Sequence, residues 1–277
     1  MNVHTEVKMS GERRYLVDVG LQDLPYPVRV ASRAAPDGQH TIASISVAAR
    51  IHHEFEATWI SKLIQILHSH RDAIGTGTLR KNVQDYLEGL SANDVSATFS
   101  YPFFVEKLTP ASKEKCLVRV LCAYTAKTSS SIGKPRVTFK IQVPCLTTYP
   151  NVGTDRPGGL FGQLSTFVVQ TESDGDVYPE DIVDLVDAKA LAPIYSYLTD
   201  KDEELIIRRV HAVKRTSVEV TDDLGQELSK RKDIAWFSIR CSNYGMLHSY
   251  ATLLGTEKSV WTPREDWEEI GKEVMPV

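Results

Sequence analysis

Strict alternation of apolar and polar side chains constrains this chain most, because it assigns a strand and a buried face at once. Over residues 44–51, Ile45, Val47, Ala49 and Ile51 alternate with Ser44, Ser46 and Arg50. The pattern returns over 137–143, where Val137, Phe139, Ile141 and Val143 alternate with Thr138, Lys140 and Gln142. A similar succession surrounds each run. A short strand is predicted at 28–30, after the turn-like Leu24-Pro25-Tyr26-Pro27. After the first alternating run, Ile60, Leu63, Ile64 and Leu67 take helical spacing, with Thr58 as cap. Gly75-Thr76-Gly77 breaks the chain before a second helix carrying Leu79, Val83, Tyr86, Leu87 and Leu90, with Thr78 as its cap. Strands are predicted near 95–104 and 117–125.

A loop rich in Ser, Thr, Gly and Pro at 127–135 then leads into a second half of the same order. A Gly/Pro-rich loop at 149–162 precedes a strand at 164–171. Pro179 opens a helix with Ile182, Leu185 and Val186 on one face. A polar, helix-compatible segment covers 202–214, and Ser217 caps a helix carrying Val220, Leu224 and Leu228. Strands at 234–240 and 247–254 close the half. The fold class read from this is α+β, with two tandem ββααββ units at 1–126 and 127–277 and antiparallel sheets. Open sheet edges demand a partner, so a homo-oligomer is expected.

Composition excludes several classes. Apolar residues make up 42% and charged residues 25%, the balance of a globular domain, and the formal net charge is -4. There is no long Lys/Arg cluster for a nucleic-acid backbone and no apolar run of membrane-spanning length. The polar N-terminus lacks a signal-peptide core. Cys116, Cys122, Cys145 and Cys241 form no CxxC pair, which fits a reducing cytoplasm.

Four stretches, in order along nearly the whole chain, resemble one family. They are 19–28 (VGLQDLPYPV), 51–63 (IHHEFEATWISKL), 194–198 (IYSYL) followed by Asp202-Glu203, and the closing segment from Phe237-Ser238-Ile239 through Asn243 to His248. The second is similar to a family run LPHEFKGTHMSRF and the third to LYALLKRPDE. The family is the type IB GTP cyclohydrolases, and the resemblance implies a tunnelling fold of two tandem units, a homotetramer and a site between subunits. Ser61 and Lys62, in the second stretch, are expected to bind substrate.

The resemblance also implies a metal site, and there the sequence departs from it. Relatives hold zinc with a Cys, a His, a Glu and a second His. The Cys opens a Cys-Pro-Cys-Ser run, and the first His follows twelve residues later in Gly-Ala-His-Asn-Gln-Arg-Ser. Here those places fall on Tyr149, in Tyr149-Pro150-Asn151-Val152, and on Phe161, in Gly159-Leu160-Phe161-Gly162-Gln163-Leu164-Ser165. The Glu falls on Pro193, and only His248 remains of the four. Phe and Pro offer no side-chain donor, and a phenol must first lose a proton of pKa about 10. No metal or other cofactor is therefore expected, zinc being compatible only with unusual ligands; Cys145 is a displaced candidate. The family's guanine-binding Glu falls on Arg208, which only donates and suits a carboxylate or phosphate; Glu204 is the nearest acid.

The reading that follows is an enzyme repurposed to a metal-independent reaction on a different, acidic small molecule. His248 would act as acid or base, Tyr149 as hydroxyl donor and Arg208 as anion contact. The alternatives are a GTP cyclohydrolase forming 7,8-dihydroneopterin triphosphate with unusual metal ligands, and a non-catalytic paralogue that binds a ligand or a protein. Other polar groups have plainer explanations. His68 and His70 suit a solvated helix end. His52 and His53 suit a pocket wall or a surface turn, His248 a packed strand, and Arg208 and Arg209 a solvated helix face. The charge run at 200–204 reads as solvated, and Cys116 and Cys241 as strand core.

Overall fold

Once pairing partners are in place, the alternating runs extend well beyond their predicted ends. The computed structural model describes residues 16–52, 58–72, 74–131, 134–149, 160–245 and 249–258. Strand β2 (Gln39–His52) pairs antiparallel with β1 (Leu16–Val30) and with β3 (Ala92–Leu108). β1 is five times as long as the three-residue strand predicted at 28–30, because prolines and a bulge hide its pattern. The register shifts between Leu21 and Leu24, and Asp23 takes φ 54°. Pro25 and Pro27 are tolerated because, among the described residues, β2 is the one strand paired with β1 there; the outer edge is used only further on, where Arg29 and Ala31 N–H donate to Arg71 and Ile74 C=O.

Helices α1 (Thr58–His70) and α2 (Thr76–Gly89) separate β2 from β3, and β4 (Lys115–Ser129) follows β3. The second half runs β5 (Arg136–Thr148), β6 (Gly162–Ser173), α3 (Pro179–Lys189), β7 (Ala192–Pro193), α4 (Asp200–Ala212), α5 (Ser217–Lys230), β8 (Ile234–Tyr244) and β9 (Ala251–Glu257). The first half thus has the predicted order; in the second the helix-compatible segment at 202–214 forms α4 and a two-residue strand precedes it, so that half holds three helices and is not a ββααββ unit. Among the described residues the strands form a single sheet of order β1-β2-β3-β4-β5-β6-β8-β9, antiparallel in every pairing. β4 and β5 pair only over Leu121–Lys127 and Arg136–Gln142; beyond that, β7 pairs with β5 at Cys145 and Leu146. The expected closing strand at 247–254 is placed later, at Ala251–Glu257, and 246–248 lie outside the described residues.

One sheet face carries the core: Val47, Phe99, Tyr124, Phe139, Ile141, Phe167 and Ile239 are buried under α2, α3 and α5. The opposite face leaves Ile42, Phe104, Leu117 and Leu121 exposed. All four cysteines are buried and free, as expected of Cys116 and Cys241.

Capping differs from the sequence reading in detail. Thr78 lies inside the first turn of α2 rather than ahead of it; its hydroxyl accepts from Gly75 N–H at 3.0 Å. α5 is capped by Thr216, one residue before Ser217, in a reciprocal pair with Glu219. The run at 200–204 is not wholly solvated. Asp202 is completely buried and accepts from Ala111 N–H, Ser112 N–H and Oγ, and Thr199 N–H and Oγ1, at 2.6–3.0 Å. It ties the start of α4 to the turn between β3 and β4, and is the buried residue of that helix.

Candidate functional site

Three elements converge where β5 ends. Tyr149 follows the last residue of β5, Phe161 directly precedes β6, and the backbone joins them: Tyr149 N–H donates to Phe161 C=O at 3.0 Å. Their rings stack with centroids 5.7 Å apart and planes 26° from parallel. With Leu160 they form an apolar cluster separate from the main core. Gly245, just past β8, allows this packing, since a Cβ there would lie 3.0 Å from Tyr149 Cε2. The end of α4 closes the third side. Val210 packs on Gly162, and His211 Nδ1 lies 2.7 Å from Leu160 C=O.

Behind the stack runs a buried polar ladder. Ser165 Oγ donates to Asn243 Oδ1 at 2.7 Å, so its other contact, Thr147 Oγ1 at 2.7 Å, must be the donor to it. Gln163 Nε2 donates to Thr147 Oγ1 at 3.2 Å, and Asn243 Nδ2 reaches Thr252 Oγ1 at 3.5 Å. Donation therefore passes from Gln163 on β6 to Thr147 on β5, back to Ser165 on β6, and on to Asn243 on β8, whose amide nitrogen continues it to Thr252 on β9. Cys241 Sγ also contacts Asn243 Oδ1, at 3.3 Å. Gln163 and Ser165 are the two residues of the 159–165 stretch that match side chains of the family run beyond its first glycine.

The structure brings Tyr149 and Phe161 together. Pro193 pairs with Cys145, four residues back along β5, roughly 13 Å of strand from Tyr149. Cys145 is fully buried, and burial pushes its thiol well above the usual range. Arg208 is exposed on α4 and paired with Glu204 one turn earlier. Ser61 and Lys62 are exposed on α1, in the first half. His248 and His53 lie outside the described residues. Of the helix-end histidines, His68 Nδ1 meets Tyr26 Oη at 3.0 Å and His70 Nε2 meets Asp85 Oδ2 at 2.9 Å. His211 carried no motif and was missed; a basic residue in a last helical turn gives no functional signal in sequence.

Comparison with known proteins decides the family. The family model described as type I GTP cyclohydrolase folE2 matches residues 5–253. The chain belongs to this FolE2 family. A GTP cyclohydrolase FolE2 of Geobacter sp. (strain M21) is 27% identical over 241 residues, covering 87% of this chain and 89% of the relative. That of Nitrosococcus oceani is 25% identical over 250 residues, covering 90% and 92%. Among solved structures, urate oxidase from Bacillus sp. TB-90 superposes with TM-score 0.54 at 8% identity, covering 87% of this chain and 99% of that one. Uricase from Arthrobacter globiformis gives 0.51 at 11%, covering 91% and 98%. These likenesses agree with an α+β, tunnelling-fold-like architecture.

The zinc set implied by the FolE2 resemblance does not fit the residues present. Two of its places are filled by rings stacked on each other, one of them a phenylalanine with no donor atom, and a third by a proline. Among the described residues no three His, Cys, Asp or Glu side chains are grouped to hold a metal ion. No helix among them is long and apolar enough to cross a membrane.

Proposed function

We propose that this protein binds GTP, or a closely related purine nucleotide, beside the Tyr149–Phe161 stack and opens the purine ring by hydrolysis, as a GTP cyclohydrolase whose reacting centre does not use the family's Cys-His-Glu-His set. The collinear family match over 5–253 carries this reading. The polar ladder supports it, because Thr147, Gln163, Ser165 and Asn243 hold the ends of β5, β6 and β8 in one arrangement behind the stack. The proposal includes two tandem units, 1–126 and 127–277, a cytoplasmic homotetramer, and a site completed between subunits with Ser61 and Lys62 as substrate contacts. Light scattering of the purified protein reads the tetramer directly.

The Tyr149–Phe161 stack specifically favours a second reading, a metal-independent reaction on a different acidic small molecule. Tyr149 would then be a hydroxyl donor, His248 the acid or base, and Arg208 the anion contact after exchanging Glu204 for the ligand. One experiment separates the two: incubate the untagged protein with GTP and zinc, then follow GTP loss and bound metal together. GTP consumption supports the cyclohydrolase reading. No GTP loss, with no metal retained, removes it and leaves the metal-independent reaction and the non-catalytic paralogue.

A further inference from the structure

His211 has no place in either reading so far, yet it is the imidazole bonded to the segment that carries the stack. Its Nδ1 faces Leu160 C=O at 2.7 Å. A carbonyl oxygen only accepts, so Nδ1 carries a hydrogen, and in the neutral ring Nε2 is the lone-pair nitrogen. The residue as a whole is exposed. Leu160 immediately precedes Phe161, and Val210, beside His211, packs on Gly162 at 3.3 Å from where a Cβ would stand. Two successive residues of α4 thus meet two residues flanking Phe161, which fixes the imidazole relative to the stack. A histidine with Nδ1 anchored on a backbone carbonyl and Nε2 free is the arrangement used for general bases and metal ligands.

We propose that His211 is the proton-transfer residue of this site. As the oxygen of a water bonds to a purine ring carbon held beside Tyr149 and Phe161, Nε2 takes a proton from that water. The proton passes to the ring nitrogen freed when its bond to that carbon breaks, so His211 ends neutral as it began. No oxidant, reductant or other reactant is consumed. The inference rests on the purine-nucleotide reading above.

The test compares the full-length protein with His211→Asn and His211→Gln. Asparagine can still donate to Leu160 C=O from near the Nδ1 position but has no basic nitrogen; glutamine places its amide nearer the Nε2 position. The expected result for His211→Asn is an unchanged melting temperature and unchanged GTP affinity, with kcat reduced about 10²-fold or more and partly restored in His211→Ala by added imidazole. A merely structural cap would not give that split between kcat and KM or that rescue. If the wild type consumes GTP and His211→Asn keeps its kcat, His211 is a capping group and the purine reading stands. If the wild type neither binds nor consumes GTP, the purine reading fails and this proposal falls with it. Should both variants unfold, histidine 15N spectra of the wild type decide: a His211 Nε2 resonance unmoved by saturating GTP overturns the proposal.

Discussion

At the scale of single residues, the site is defined by the two rings that meet where β5 ends. Tyr149 and Phe161 are joined through their backbones. Replacing Tyr149→Cys together with Phe161→His sets a thiol and an imidazole at positions whose side chains already meet. The double variant is expected to retain more zinc than the wild type on mass spectrometry after zinc loading and dialysis; equal retention would mean that side-chain identity is not what bars the metal. Ser165 is the centre of the ladder, donating to Asn243 and accepting from Thr147. Ser165→Ala leaves the Asn243 amide oxygen only the weak Cys241 thiol contact and takes the acceptor from the buried Thr147 hydroxyl, at a cost of about 1–3 kcal/mol. Urea unfolding reads that loss, and a midpoint equal to the wild type would show the ladder to be energetically idle.

At the scale of elements, α4 is held by its ends more than by its face. Leu205 and Ile207 are exposed, while Asp202 at one end and His211 at the other make the fixed contacts. The donors from Ser112 and Thr199 stabilise the Asp202 carboxylate and outweigh burial, holding its pKa far below the usual range. Its stabilising effect is therefore complete above the unfolded-state pKa of about 4 and is lost as pH falls through the lower folded value. Asp202→Asn turns an amide toward five donors. Hydrogen exchange is expected to speed up across α4 and at the β3–β4 turn at neutral pH, and acid unfolding should lose its low-pH component. Unchanged protection in both segments would refute the anchoring role. The second half was harder to read than the first for the same reason. α4 has no core-facing stripe, and β7 is two residues long, too short for any periodicity.

At the scale of the molecule, the two halves are clasped as well as paired. Glu180 Oε1 accepts from Ser32 Oγ and Ala34 N–H, Arg33 pairs with Asp181 and Asp184, and Asp176 accepts from Gly77 N–H. The most buried ion pair among the described residues is Lys107 on β3 with Asp187 on α3, at 2.5 Å with 8% and 16% of the side chains exposed. Lys107→Ala strands a buried carboxylate, and a loss of about 3–5 kcal/mol is expected. Lys107→Met with Asp187→Leu should recover much of it, because apolar groups of similar size restore packing without unpaired charge. Calorimetry of both variants checks this, and a double variant no more stable than the single one would place the stability in the ion pair itself.

Much of this protein was legible in the sequence because its signals are periodic or collinear. Alternation located β2 and β5, helical spacing located α1, α2, α3 and α5, and the ordered motifs indicated the family before any contact was known. The aromatic side chains at two expected metal positions were legible too, since donor chemistry belongs to residue type. What the tertiary structure decided is how distant residues meet. The Tyr149–Phe161 stack, the polar ladder through Ser165, the burial of Asp202 and the tether from His211 to Leu160 all depend on strand register and helix placement. A residue's identity states what it can donate or accept; only the fold states which partner stands within reach.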